Sequence, residues 1–211
     1  APLAKGAFYH AGQVCVSVQR VYAPEDQAET LAEALKKEAA KMTVGDPMDK
    51  ETAVGPLIRP GEVARVSEWV KEAVAQGATL ICGGSKKGDY CFEPTILLNP
   101  SLESKISKEE IFGPVVAIYG YKELDDAIAS ANSLEFAFQA SIFTQNLDNA
   151  LYAVQRLNAS AVMVNDHTAF RVDWMPFGGR DSSGLGLGGI SHSAKEMSRV
   201  KLMVLKSPKL A

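Results

Sequence analysis

Three cysteines are the side chains best suited to nucleophilic chemistry in this 211-residue chain, because a thiolate forms readily near neutral pH and attacks carbonyl carbon well. A reactive cysteine must be partly exposed, whereas a structural one is simply packed. Cys82 ends an apolar run, ATLIC, ahead of two glycines, and Cys91 sits beside Phe92; both read as packed thiols. Cys15 differs, because the small residues of Ala11-Gly-Gln approach it and leave room around the sulfur. On residue types alone, a buried strand cysteine remains the plainer account of it. Three scattered cysteines make no disulfide framework and point to reduced thiols.

Two other patterns invite a chemical reading. Gly184-Leu-Gly186-Leu-Gly188-Gly189 satisfies the G-x-G-x-x-G dinucleotide spacing. That motif works only with a strand before it, a helix opening on the pyrophosphate and an acid some twenty residues on. None of these surrounds it, so these glycines are read as letting backbone pass close to a neighbour. The three histidines, His10, His167 and His192, show no metal-ligand spacing. A hydrolase or acyltransferase pairing Cys15 with His167 or His10 stays open, since such pairs meet only in space.

The elements that must position these residues alternate. Gln13 to Tyr22 has period-two alternation rich in Val and reads as a strand closed by Pro24. From Glu25, apolar residues at helical spacing run through Met42, with Gly45 as a stop, and a second helix opens at Pro60 and ends at Gly77. Strand Thr79 to Cys82 and a hairpin-like GGSKKGDY follow, then strand Val115 to Tyr121. The last third repeats the pattern: a helix over Leu124 to Ala131, a strand over Ala140 to Thr144, a helix over Leu147 to Leu157 and a strand over Ser160 to Val164. Strands alternating with helices imply crossover connections, hence an α/β fold with a mostly parallel sheet and helices on both faces. Beyond the glycine-rich stretch, SHSAKEMSR is polar and VKLMVL (Val200 to Leu205) alternates as a final strand, suited to pairing with another subunit. Residues 1–190 thus form the α/β body and residues 191–211 a C-terminal segment.

Composition narrows the function classes. The 22 basic against 25 acidic residues leave a net charge of −3, with no basic surplus for phosphates and no polybasic tract for a membrane surface. Neither an apolar run of roughly 18 residues nor a signal-type N-terminus is present. The expectation is a soluble, cytoplasmic chain without nucleic-acid or membrane partners.

Three segments, taken in order, resemble the aldehyde dehydrogenase superfamily. Gly12-Gln-Val-Cys15, with Arg20 five residues after the cysteine, is similar to its nucleophile motif; Glu110-Ile-Phe112-Gly-Pro114 to its E-I-F-G-P motif; and Val164-Asn165 with Pro176-Phe177-Gly-Gly179 and Ser183-Gly184 to its C-terminal signature. The resemblance spans essentially the whole chain.

It implies that Cys15 is the nucleophile, forming a thiohemiacetal that expels hydride onto a nicotinamide and leaves a thioacyl enzyme, with the Cys15 backbone N–H as one oxyanion donor. It implies that Glu110 binds the nicotinamide-ribose hydroxyls, that Phe112 packs beside the nicotinamide, and that Phe177 lines the substrate pocket. The cofactor would be NAD or NADP, the substrate a small aldehyde, and the enzyme a homo-oligomer. Arg171 falls in the segment lining the substrate entrance, which resembles that of members acting on small hydroxylated or anionic aldehydes such as lactaldehyde, glyceraldehyde 3-phosphate or semialdehydes, and its guanidinium suits a carboxylate or phosphate; an arginine in a polar loop is more often a plain surface charge. Arg20 reads as structural. Asp181 stands where the family usually has Lys. The family's cofactor domain, its E-L-G-G base and its oxyanion asparagine precede the nucleophile, and only fourteen residues precede Cys15 here. Hence the chain is expected to be the catalytic domain of a longer enzyme and to be inactive alone.

Overall fold

The computed structural model describes residues 1–209. Helix α1 (Pro2–Phe8) runs through a tight turn, Tyr9–Gly12, toward strand β1 (Arg20–Pro24). Helix α2 (Ala28–Ala39), the small ladder of β2 (Thr43–Val44) with β3 (Thr52–Val54), and helix α3 (Pro60–Ala75) follow. Strand β4 (Thr79–Cys82), the hairpin of β5 (Lys86–Lys87) with β6 (Cys91–Phe92), and β7 (Thr95–Leu98) lead to the short α4 (Lys105–Lys108) and to β8 (Val115–Tyr121). The last third holds α5 (Leu124–Ala131), β9 (Phe136–Ala137), β10 (Gln139–Ile142), α6 (Leu147–Arg156), β11 (Ala161–Val164), β12 (Arg180–Asp181) and α7 (Ile190–Glu196).

The main sheet has the order β1-β8-β7-β4, with β1, β8 and β7 mutually parallel and β4 an antiparallel edge. β10 and β11 pair in parallel as a separate ladder. Val115 through Tyr119 of β8 are buried without alternation, which requires cover on both faces of the sheet. The expected α/β class with a mostly parallel sheet is what the chain adopts. Helices follow the apolar spacing: Ala28, Ala32, Leu35 and Ala39 form the buried stripe of α2, and Val63, Val66, Val70 and Ala73 that of α3, which Pro60 opens. One core gathers Phe8, Phe92, Ile96, Leu97, Ile106 and Ile118. Arg20 is structural, donating to Tyr22 Oη and to the Ser130 and Ala131 carbonyls at the end of α5.

Two expectations are corrected, and one segment left without an element gains one. The strand read over Gln13 to Tyr22 begins only at Arg20, and Cys15 lies in a turn closed by Ser17 N–H donating to the Val14 carbonyl, 2.8 Å. The valine alternation is real in burial, since Val16 and Val18 face the core. The ladder is missing because this segment bonds to helix α1 instead: Val18 N–H and Ser17 Oγ–H both donate to Gly6 O. The polar SHSAKEMSR region contains helix α7. The final strand Val200 to Leu205 forms no strand within the single chain, and its side chains are exposed; an extended segment needs a partner's hydrogen-bonding groups to become one. The 191–211 segment runs two residues past the described part of the chain.

Candidate active site

Tyr9–Gly12 ends in three consecutive residues in the left-handed region, His10 (φ 50°), Ala11 (φ 56°) and Gly12 (φ 70°). This reversal lifts the following turn clear of the sheet and leaves Cys15 exposed. Gly12 accomplishes it by lying directly on the Glu110–Pro114 segment: a Cβ there would stand 2.0 Å from Gly113 O. The requirement for glycine is therefore both conformational and steric, and it brings two distant sequence motifs into contact.

Cys15, Glu110 and Phe112 line one cleft together with Gly12, Ser17 and Gln19. Glu110 is exposed, and its carboxylate takes part in none of the ion pairs among the described residues. Phe112, two residues on, lies in the left-handed region, φ 45°, and is 42% exposed. An exposed carboxylate beside an exposed aromatic face suits a sugar's vicinal hydroxyls and a flat heteroaromatic ring, and both stand near a free thiol. Tyr9 lies near enough to Cys15 that its phenol is pushed above its ordinary value, first by burial and then by the charge Cys15 carries as a thiolate. Cys82, by contrast, is half-buried and its thiol is pushed up, chiefly by burial; it donates to Pro94 O. Cys91 donates to Gly45 O.

Two glutamines that sequence reading passed over hold the cleft together. Gln13 donates from Nε2 to Pro56 O, 3.1 Å, and accepts from Ile58 N–H, 2.9 Å. Gln19 donates to Glu109 O, 2.6 Å, and accepts from Ile111 N–H, 3.0 Å. A carboxamide offers a donor and an acceptor side by side, which matches a peptide edge, but periodicity carries no signal of such a bond across 40 to 90 residues.

Phe177 and Arg171 belong to a second cluster. The Arg171 guanidinium stands 4.1 Å from the Phe177 ring centroid, and Phe138 meets the same ring edge-on at 5.1 Å. Phe177 exchanges both backbone hydrogen bonds with Gly188, and a Cβ on Gly178 would fall 2.5 Å from Gly186 O. The glycines of this region thus permit backbone to pack on backbone. Buried Thr168 connects the cluster to the nucleophile turn, donating to Val16 O at 2.6 Å. His167 accepts from Ala169 N–H through Nδ1 and lies against Gly6; His10 stacks obliquely on Tyr9. Asp181, in place of the family's usual lysine, accepts from Asn158 Nδ2. Among the described residues no cluster of three or more His, Cys, Asp or Glu is arranged for a metal ion, and no helix is long and apolar enough to cross a membrane.

Comparison with known proteins adds independent findings. The model of the aldehyde dehydrogenase family matches residues 1–203. A 3-sulfolactaldehyde dehydrogenase of Priestia aryabhattai is 41% identical over 203 residues, covering 96% of this chain and 42% of that protein. Among solved structures, glyceraldehyde-3-phosphate dehydrogenase from Methanocaldococcus jannaschii complexed with NADP superposes with a TM-score of 0.90 at 37% identity, over 95% of this chain and 43% of that one. An aldehyde dehydrogenase from Physcomitrella patens in complex with the reaction product succinate gives 0.89 at 36% identity, over 92% and 40%. The chain spans about two fifths of the length of the relatives it matches.

Proposed function

The chain belongs to the aldehyde dehydrogenase family, and on that premise we propose that it supplies the nucleophile and part of the cofactor site of an NAD- or NADP-dependent enzyme oxidising an aldehyde to a carboxylic acid. The observation that carries this reading is the convergence of Cys15, Glu110 and Phe112, about 95 positions apart in sequence, on one cleft. The Cys15 thiolate forms a bond to the aldehyde carbon, and the carbonyl electron pair moves to oxygen, where the Cys15 backbone N–H stabilises it. A bound nicotinamide ring supplies the acceptor for the hydrogen and its electron pair. The C–H bond breaks as the carbonyl re-forms, leaving a Cys15 thioester, and water cleaves the S–C bond to give the acid and the free thiol. Glu110 would hold the ribose hydroxyls and Phe112 would flank the ring.

The second cluster supports an aldehyde with an anionic end as the substrate class. Relatives of this chain act on or bind 3-sulfolactaldehyde, glyceraldehyde 3-phosphate and succinate by name, each with an anionic group. Arg171, exposed above Phe177, is the cation suited to receive such a group, with Phe177 beside the carbon chain. Three free thiols fit a reducing compartment such as the cytoplasm. Val200, Leu202, Met203 and Val204 are each more than four fifths exposed, which supports pairing of this alternating segment with a second copy in a homo-oligomer.

Replacing Cys15 with Ala in the enzyme that carries this chain is expected to lower aldehyde-dependent NAD(P)H formation at least about 10⁴-fold, with an unchanged melting curve. The 211-residue chain alone is expected to form none; robust turnover by it, or retention of dehydrogenase activity by Cys15→Ala, overturns the respective proposal. Sedimentation of the enzyme lacking residues 198–211 is expected to show smaller species than the intact enzyme, and an unaltered assembly counts against the strand pairing.

A further inference from the structure

We infer that Gln19 is a positioning residue for Glu110, an inference that rests on the cofactor-binding reading of that carboxylate. Glu110 sits in a segment with no ladder of its own between α4 and β8, so its orientation must come from elsewhere. The neighbouring peptide groups are held from outside. Gln19 accepts from Ile111 N–H at 3.0 Å and donates to Glu109 O at 2.6 Å, with a longer contact to Ile106 O at 3.4 Å. Arg65 donates to Ile111 O at 2.6 Å while bonded to Glu62 and stacked on Trp69. The backbone on either side of Glu110 is thus fixed, and its carboxylate is left free of the bracket. Although Gln19 borders the cleft, its donors are directed at the Glu109 and Ile106 carbonyls and its oxygen at the Ile111 amide, so it acts through the backbone beside Glu110 and not on a ligand.

The bracket also ties the two halves of the site to each other. Gln19 lies four residues beyond Cys15, and the carbonyl of the same residue accepts from Ala117 N–H in β8. One residue therefore joins the nucleophile turn to the sheet through its backbone and to the Glu110 loop through its side chain. Removing the carboxamide alone should free Glu110 without disturbing the register of Cys15.

The test uses the enzyme that carries this chain. Gln19→Leu, which keeps the bulk and removes both hydrogen bonds, is expected to raise the dissociation constant for NAD or NADP at least about fivefold, followed by quenching of protein fluorescence. In the cofactor-free protein, exchange of the Ile111 amide hydrogen should accelerate at least about tenfold, while core amides of β8 are unchanged. The Michaelis constant for cofactor should rise by more than that for aldehyde, and reduced-cofactor formation should fall by more than acylation of Cys15 by p-nitrophenyl acetate measured without cofactor. The double variant with Glu110→Gln should bind cofactor no more weakly than Glu110→Gln alone, because both act through one group. Binding within about twofold of wild type in Gln19→Leu, where Glu110→Gln is impaired, overturns the inference. So do losses that multiply in the double variant, which would mean that Gln19 acts independently of Glu110. Full binding by Glu110→Gln overturns the reading of Glu110 and the inference with it. If Gln19→Leu melts early, Gln19→Glu, which keeps an acceptor for Ile111 N–H but no donor for Glu109 O, is held to the same criteria.

Discussion

The Cys15 cleft and the Arg171–Phe177 cluster, the two walls that the proposed function assigns, are built differently. On the wall carrying Cys15, Glu110 and Phe112, one glycine and two glutamine side chains tie the backbone to partners far off in sequence: Gly12 lies on Gly113, Gln13 on Pro56 and Ile58, and Gln19 on Glu109 and Ile111. His10, Ala11 and Phe112 are held at positive φ, a conformation that persists in non-glycine residues only where surroundings over-determine it. On the wall carrying Arg171 and Phe177, the Phe177 backbone pairs with Gly188, Ser182 N–H reaches Glu135 O, Thr168 reaches Val16 O, and Leu185 and Leu187 stand in solvent. The difference suggests a division of labour. On the proposed reading, atoms that must meet in fixed geometry would lie on the interlocked wall, where small displacements are costly, and atoms that select among substrates on the other.

The sharpest way to break that contrast is with two glycines in the same backbone region. Gly12→Ala places a Cβ 2.0 Å from Gly113 O, at a φ of 70°, and is expected to destabilise by more than about 4 kcal/mol or to prevent folding. Gly186→Ala has a similar φ of 77° but nothing within 4 Å of the added carbon. Its cost should be only the conformational one, about 1 kcal/mol. Denaturant midpoints of the two variants check this; equal costs would mean that the walls are equally constrained.

The same contrast explains what could be read from sequence. The amphipathic stripes of α2 and α3, the β/α alternation and the hairpin Lys86–Phe92 were legible because periodicity reports burial, and burial is what the core imposes. Periodicity failed at Gln13 to Gln19, where burial alternates but hydrogen bonds go to a helix end and to side chains. At Val200 to Leu205 the alternation is present without an intrachain partner. The residues of the interlocked wall were visible through their resemblance to a family, yet the reasons for them were not: nothing in G-Q-x-C says that its glycine rests on the glycine of I-F-G-P. The carboxamide of Gln19 left no trace, since a half-buried glutamine within an apparent strand looks like any polar face.

The looser wall is sharpened by Arg171. Its guanidinium is exposed and stacked on Phe177, so Arg171→Gln should change stability by less than about 0.5 kcal/mol, as surface substitutions usually do. If the cation receives the anionic end of a substrate, its loss removes a charge-assisted hydrogen bond of about 1.5 to 3 kcal/mol, or roughly 10- to 100-fold in kcat/KM. That loss should appear with succinic semialdehyde and be nearly absent with butyraldehyde, which has the same chain length and no carboxylate. It should also shrink as salt is raised, because an exposed charge is screened. Arg171→Lys should recover only part of it, since an ammonium cannot offer the paired donors of a guanidinium or stack on Phe177 in the same way. Equal losses on the two aldehydes would show instead that Arg171 serves by holding the Phe177 ring, and the second wall would then be a packing surface that shapes the entrance for every substrate alike.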